Sequence, residues 1–497
     1  MVSPVRLVGL FLIIFGFFAA AGTALSRRPA PPSLQRAKVF YDAELPERGD
    51  HEILDFLAAS GDPADAWCLA LAEHAESHSN VSDAMLKQLN EPGQLRYKTL
   101  FAFVANLNQV STVQESWPLL RDAGCVLERL HRDAEAIALL KKAEQIHPDP
   151  DQRLDILHLV HSLGWKTDFR ALMADPLYYE EADPFLRMNY AQSRGEFVLA
   201  GYWLIRHQIE SYQPGTMIAA AGAGLCWLLL MLQLGRVQNW SWKYTSLVPF
   251  ALILGGLSAY ATVFEISIEQ RFFVFERYSP HWLLNLIYAV LGIGLREETL
   301  KLLFSLPVIL LARKAEPIVV LALASCTGLG FAIEENTQYY AGDWGAVFAR
   351  FLTANFAHMM WTGMAGLAFT DALKGRTSWG EFFEQLAFVI AMHGLYDFFI
   401  IDSTIADLAF FSSLIFIWVA RSFFHNAHAL RGGQKDNPPL LVTFTSMLGA
   451  TAGICFIMIA QELGPAKALS GTAYAMAGSF FVSIVFFQEF ARSHGRV

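Results

Sequence analysis

Apolar residues gather into long runs over the second half of the chain, each near the 20 or so residues that a helix needs to cross a hydrocarbon core. The runs fall at 216–235, 245–264, 281–313, 316–338, 347–371, 382–401, 404–424, 440–461 and 467–490, and each is expected to be a membrane helix. The 281–313 run is long enough to be broken or strongly tilted. An earlier apolar stretch, Leu7 to Leu25, comes after a short N-terminus bearing Arg6, ends in small residues and is succeeded by Arg27 and Arg28. That layout suits a signal peptide or an uncleaved anchor; its length and basic flank favour the anchor, and either device exports the segment C-terminal to it.

Between Lys38 and Gln213 the pattern changes to charges throughout, with apolar residues three and four apart, as on amphipathic helices. The clearest case is DAEAIALLKKAEQIHPDP, where Ala134, Ala136, Leu139, Leu140 and Ala143 form one stripe and Pro148 stops the helix. One such unit resembles a tetratricopeptide (TPR) repeat, a scaffold that can hold a peptide or protein ligand; a generic helical bundle fits equally well. The scattered histidines of this stretch, such as His158 and His161, read as surface or capped residues. The expected fold is therefore all-α: a polytopic transmembrane bundle carrying an inserted soluble helical domain. Its expected parts are a signal or anchor (1–27), the helical domain (28–213), a membrane core (214–430), and a loop with two further spans (431–497).

Composition agrees with residence in lipid. Of 497 residues 54% are hydrophobic and 17% charged, with mean hydropathy +0.34, against roughly 25% charged in soluble domains. A net charge of −9 without a basic tract argues against a nucleic-acid partner. Cys68, Cys125, Cys226, Cys326 and Cys455 are far apart and form no C-x-x-C pair, so no zinc knuckle or dense disulfide framework is encoded. A Cys68–Cys125 bridge competes with the simpler reading of two buried thiols.

Short-loop charges set the orientation. Arg236, Lys243, Arg313, Lys314, Lys374, Arg376, Arg421, Arg431, Lys435, Arg492 and Arg496 fall on alternate sides from Arg271, Arg277 and Lys467, with Arg350 just inside a span. The larger set is expected in the cytoplasm together with the C-terminus, which leaves the soluble domain extracytoplasmic and the protein multi-pass in the cell membrane.

Ionisable residues inside these runs are the candidate chemistry, because a charge near the bilayer centre costs roughly 2.5 to 3.5 kcal/mol to insert. Glu297, Glu298 and Lys301 lie in GIGLREETLKLLF, Glu334 and Glu335 in GLGFAIEENTQYY, His358 in ANFAHMMWTGMAG, and His393 and Asp397 in AMHGLYDFF. Lys301 is three and four residues after the two glutamates, on their helix face, and can neutralise either. Asp397 is four after His393 and can hold the imidazole's tautomer. Glu297 and Glu298 point about 100° apart, so one can face a pocket while its neighbour braces another helix. Groups from four consecutive spans could meet in one cavity.

Taken together, E-E-x-x-K at Glu297, Glu298 and Lys301, F-x-x-x-E-N at Phe331, Glu335 and Asn336, the intervening His358, and H-x-x-x-D at His393 and Asp397 resemble the PrsW family of intramembrane proteases. That family lies within the superfamily of CAAX proteases and bacteriocin-processing enzymes. The resemblance spans approximately residues 245–425. It implies hydrolysis of a peptide bond in a membrane-anchored protein, typically an anti-sigma factor cut near its outer side. By that resemblance Glu297 activates the water, Glu298 supports it and Lys301 keeps the carboxylate charged. Glu335 helps position the water, while His393, oriented by Asp397, and His358 serve the oxyanion or the leaving amine.

Two histidines and several carboxylates would equally suit zinc or another divalent ion. The absence of H-E-x-x-H, and a lysine inside the cluster, put a cofactor-free carboxylate mechanism ahead. A proton-coupled transporter uses the same residue types, but no second copy of either motif is present, as an inverted repeat would require.

Overall fold

The computed structural model describes residues 3–26, 116–129, 131–272, 281–342, 346–431 and 439–492, with 48–49, 51–52 and 99–100 besides. Among them every regular element is a helix. Cys68, Arg277, Lys435 and most of residues 27–115 lie outside the described set. The chain divides into two units, Met1–Arg28 with Gln208–Val497, and Pro29–His207.

The second unit is a run of short helices with a recurring start signal. At Asp149–Pro150, Asp175–Pro176 and Asp183–Pro184 the aspartate side chain accepts a backbone N–H of the first turn, and proline takes the first helical position. Each pair fills an otherwise unsatisfied donor and removes another. Helix Asp133–Ile146 forms as its periodicity predicts, but its buried face is Ala136, Ile137, Leu140 and Ala143. Ala134 is exposed and Leu139 only half-buried, because the face that joins Leu127, Ile156 and Val160 in one core is that of Ala136, Ile137 and Leu140. His158 is exposed and bonds Asp183 at 2.7 Å. His161 instead sits edge-on between the rings of Phe169 and Phe185.

Among the described residues of the first unit, six helices are long and apolar enough to cross a membrane: Val5–Leu25, Pro214–Leu234, Trp242–Ile266, Pro317–Tyr340, Trp379–Ile401 and Leu440–Gln461. The remaining expected spans are also helical but interrupted or charged. The 281–313 run is Trp282–Ile287, a π-helical stretch Tyr288–Gly294, and then Leu295–Ala312 with the two glutamates in its first turn. The 347–371 run splits into Ala346–Leu352 and Ala354–Leu373 at Thr353, and the helix of the 404–424 run is Phe410–Arg431, starting later and ending later than expected. The last run is not straight: Pro465–Gly478 and Phe480–Ala491 meet at 63°, the form of a broken span or re-entrant loop.

The N-terminal helix Pro4–Ser26 lies along Leu440–Leu463. Ile14 and Phe18 rest over Gly449 and Gly453, and the Phe15 and Phe456 rings meet edge to face at 5.9 Å. Small residues four apart allow this approach, as in other lipid-embedded helix pairs.

What positions the site is a second crossing without side chains between the backbones. A Cβ on Gly294 would collide with the Ile390 carbonyl, and one on Gly394 with the backbone of Ala289 and Val290. The π turn of 288–294 and helix Trp379–Ile401 therefore touch directly, which brings the residue pairs just beyond them side by side. Gly394→Ala is expected to force this crossing apart at a cost of about 1 to 3 kcal/mol, read as a lower unfolding temperature in detergent together with lost activity. Unchanged values for both would show that the crossing does not set the site.

Candidate active site

Four helices contribute. Leu295–Ala312 carries Glu297, Glu298 and Lys301; Pro317–Gly342 carries Phe331, Glu335 and Asn336; Ala354–Leu373 carries His358 and Trp361; Trp379–Ile401 carries His393 and Asp397. Short connections at 313–316 and 374–378 make neighbours antiparallel. Glu335, His393 and Asp397 lie four to eight residues from the ends Gly342 and Ile401, which is about 6 to 12 Å at 1.5 Å per residue.

Lys301 is the hub, with no exposed side-chain surface. Its ammonium contacts Glu298 directly, lies 3.6 Å from Glu297 Oε2, donates to Nδ1 of His358 at 2.8 Å, and sits 4.5 Å from the centre of the Phe331 ring. An ammonium only donates, so Nδ1 of His358 accepts and the neutral ring carries its proton on Nε2. That nitrogen meets Glu335 Oε2 at 3.0 Å. His393 pairs through Nδ1 with Glu298 Oε1 at 2.7 Å, and its Nε2 lies 3.2 Å from Asp397 Oδ2 and 3.8 Å from Glu297 Oε2. Trp361 stacks on the His393 ring, centroids 4.1 Å apart, and fixes its plane.

The two adjacent glutamates divide their work. Glu298 is enclosed between Lys301 and His393, whereas Glu297 is slightly open and its Oε2 is buried without a hydrogen-bond partner. The second pair divides as well: Glu335 faces His358, while Glu334 accepts the Tyr212 hydroxyl, itself 2.5 Å from that of Tyr260. Exposure marks the open side. Glu335, Asp397 and Arg350 keep 24%, 21% and 20% of their side-chain surface, while Lys301, His358 and His393 keep 5% or less.

All seven expected site residues thus lie in one cluster. Sequence reasoning missed Arg350, whose guanidinium bonds Glu335 at 2.8 Å, and Trp361. Trp361 comes three residues after His358, the spacing of one helix face, and Arg350 is a charge within an apolar run. Both signals were legible, although neither residue belongs to a motif.

A divalent ion can be tested against these donors. One ligand atom each from Glu297, His358 and His393, on three different helices, lies within 4.8 Å of the others. Glu297 Oε2 is unpartnered, and four carboxylates face two permanent cations in the cluster. Two imidazoles and a carboxylate suit a catalytic ion with one open position. The proton on His358 and the Lys301 ammonium would have to give way. The donor set fits.

Residues 243–422 match the family described as PrsW family intramembrane metalloprotease. No curated protein and no solved structure matches the chain. The matched segment begins at the start of Trp242–Ile266 and ends within Phe410–Arg431, so it contains every residue of the cluster. On this agreement of motif, order and place, residues 243–422 are a PrsW-family intramembrane protease domain, and the chain that carries them is a membrane peptidase.

Proposed function

We propose that this site hydrolyses a peptide bond of a membrane-anchored protein, an anti-sigma factor being the class implied by the family, with Glu297 as the base that takes a proton from the attacking water. The observation that carries this reading is the meeting of Glu297 with His358 and His393 in one buried cluster, with a carboxylate oxygen that no protein donor satisfies. Hydrolysis needs a base for water, donors for the oxyanion and an acid for the leaving amine. Glu297 Oε2 supplies the lone pair for the first. His393, held by Glu298, Asp397 and the Trp361 ring, supplies an N–H beside Glu297 for the second. The third falls to Glu297 itself, which after taking the proton from water passes it to the leaving amine, while His358, neutral with its N–H toward Glu335, is a second donor for the oxyanion. Lys301 balances the paired glutamates and fixes the tautomer of His358.

A second reading is favoured by the donor cluster and by the family's description as metalloproteases. Glu297, His358 and His393 would hold a divalent ion, which when bound would supply Lewis acidity toward water and the scissile carbonyl. The first reading expects cleavage to survive chelation. One equivalent of metal whose removal abolishes cleavage, and whose return restores it, would replace that reading with the second.

We further place the soluble domain and the open side of the site on the outer face, with the C-terminus in the cytoplasm. Arg350, by sequence a charge near an outer loop, is bound within the site and drops out of the loop-charge count, which widens the bias of basic loops to the opposite side. The packing of Pro4–Ser26 along Leu440–Leu463 supports an uncleaved anchor. The test of function is a comparison of membrane proteomes from cells carrying the wild type and Glu297→Gln. One membrane-anchored protein is expected to lose its shortened form and accumulate at full length; unchanged processing of every membrane protein would reject the proposal.

A further inference from the structure

Arg350 stands on the seven-residue helix Ala346–Leu352, before the break at Thr353 that leads into the His358 helix. The indole of Trp227 donates to the Phe351 carbonyl at 2.6 Å and pins that break. From there the guanidinium reaches back to the helix of Glu335. Nη2 donates to Glu335 Oε2 at 2.8 Å, Nε donates to Asn336 Oδ1 at 2.5 Å, and the group lies 3.7 Å from the centre of the Tyr339 ring. Asn336 is itself fixed, donating to Asn355 Oδ1 at 3.2 Å. Three contacts along one helix therefore hold one side chain in a single pose.

The same oxygen of Glu335 that accepts from Arg350 also meets His358 Nε2. Glu335 is on the open side of the cluster, 24% exposed, where a lone carboxylate would turn toward solvent. We propose that Arg350 is a positioning residue for peptide hydrolysis: it holds Glu335 against the Nε2–H of His358, so that the proton which Lys301 places on that nitrogen stays hydrogen-bonded and aimed at Glu335. A guanidinium suits this task because two nitrogens of its rigid plane serve Glu335 and Asn336 separately, where a lysine would offer one nitrogen without that fixed geometry. The inference rests on the protease reading for its kinetic consequence, but its structural consequence, the state of one imidazole, is independent of activity.

The test uses the full-length chain in detergent, with Arg350→Gln, Arg350→Lys, Glu335→Gln and the Arg350→Gln/Glu335→Gln double variant. Nitrogen-15 spectra of histidine-labelled protein, with His358 assigned by the signal lost in His358→Asn, should show a single tautomer protonated at Nε2 in the wild type. Arg350→Gln should keep that tautomer but shift the Nε2 and Nε2–H signals as the hydrogen bond to Glu335 loosens, and Arg350→Lys should lie between. The kinetic probe is the membrane protein that accumulates with Glu297→Gln, presented in membranes, with its shortened form as readout. Cleavage is expected to fall about 10- to 100-fold in Arg350→Gln, in the range that misplacement of reacting groups produces, and less in Arg350→Lys. The double variant should be no slower than Glu335→Gln alone, since Arg350 acts through Glu335. Additive losses, or a His358 signature unchanged in Arg350→Gln, would overturn the proposal. If Arg350→Gln fails to fold, the same two comparisons are made with Arg350→Lys, alone and with Glu335→Gln. Should Glu297→Gln accumulate no protein, the protease reading falls while the nitrogen signature still decides the role of Arg350.

Discussion

Glu297→Gln is expected to abolish processing while leaving the fold intact. Glutamine keeps the size of the side chain but cannot take a proton from water, and removal of a general base typically costs about 100- to 10,000-fold in rate. The fold should tolerate the change because Glu297 Oε2 has no hydrogen-bond partner to lose and its closest cation, Lys301, is 3.6 Å away. Glu298→Gln should behave differently, since Glu298 is enclosed and joined to both Lys301 and His393. Its replacement loosens two catalytic helices and should lower stability as well as rate. Turnover of the accumulated membrane protein, measured beside the unfolding temperature of each variant in detergent, separates the two positions. Equal loss of stability in both would show that Glu297 is a brace like its neighbour, and would remove it from the base's role.

The second large effect is expected at Lys301. This side chain is fully enclosed, and its charge lies between Glu297, Glu298 and His358. Lys301→Met keeps much of the volume and the contact with Phe331 but leaves buried carboxylates without their cation. Breaking a buried ion pair on one side costs about 3 to 5 kcal/mol, because the remaining charge is stranded. The variant should therefore unfold at markedly lower temperature and reach the membrane in reduced amount. Adding Glu298→Gln to Lys301→Met removes the stranded charge and should restore a large part of the stability, without restoring cleavage. A single variant as stable as the wild type, or a double variant less stable than the single, would mean that the ammonium does not hold the cluster together.

These expectations depend on a cluster whose members were visible before its geometry was. Intramembrane acids and bases stand out against apolar runs because each is costly there unless it is paired, so Glu297, Glu298, Lys301, Glu335, His358, His393 and Asp397 could be picked from their surroundings. Helical spacing also anticipated that adjacent glutamates would face differently, and Glu298 braces His393 while Glu297 keeps an oxygen without a hydrogen-bond partner. Spacing could not say which glutamate takes which part. Nor did it separate Glu334, turned to Tyr212 and Tyr260, from Glu335. That choice depends on the rotation of each helix against neighbours distant in the chain.

Arg350 illustrates the same limit. As a letter at the start of an apolar run it marks a charge that needs a partner; only its bonds to Glu335 and Asn336 assign it to the site. The apolar periodicity, the Asp-Pro helix starts and the residue types of the cluster are properties of consecutive residues, and local physics is enough to read them. The contact of Gly294 with Gly394, the break at Thr353 that turns Arg350 inward, and the 63° bend in the last span join segments that local rules treat separately. Helix existence follows from the cost of exposed backbone in lipid. Which faces meet follows from packing between residues far apart in the chain, such as Glu298 and His393 at 95 positions, and only the folded bundle determines it.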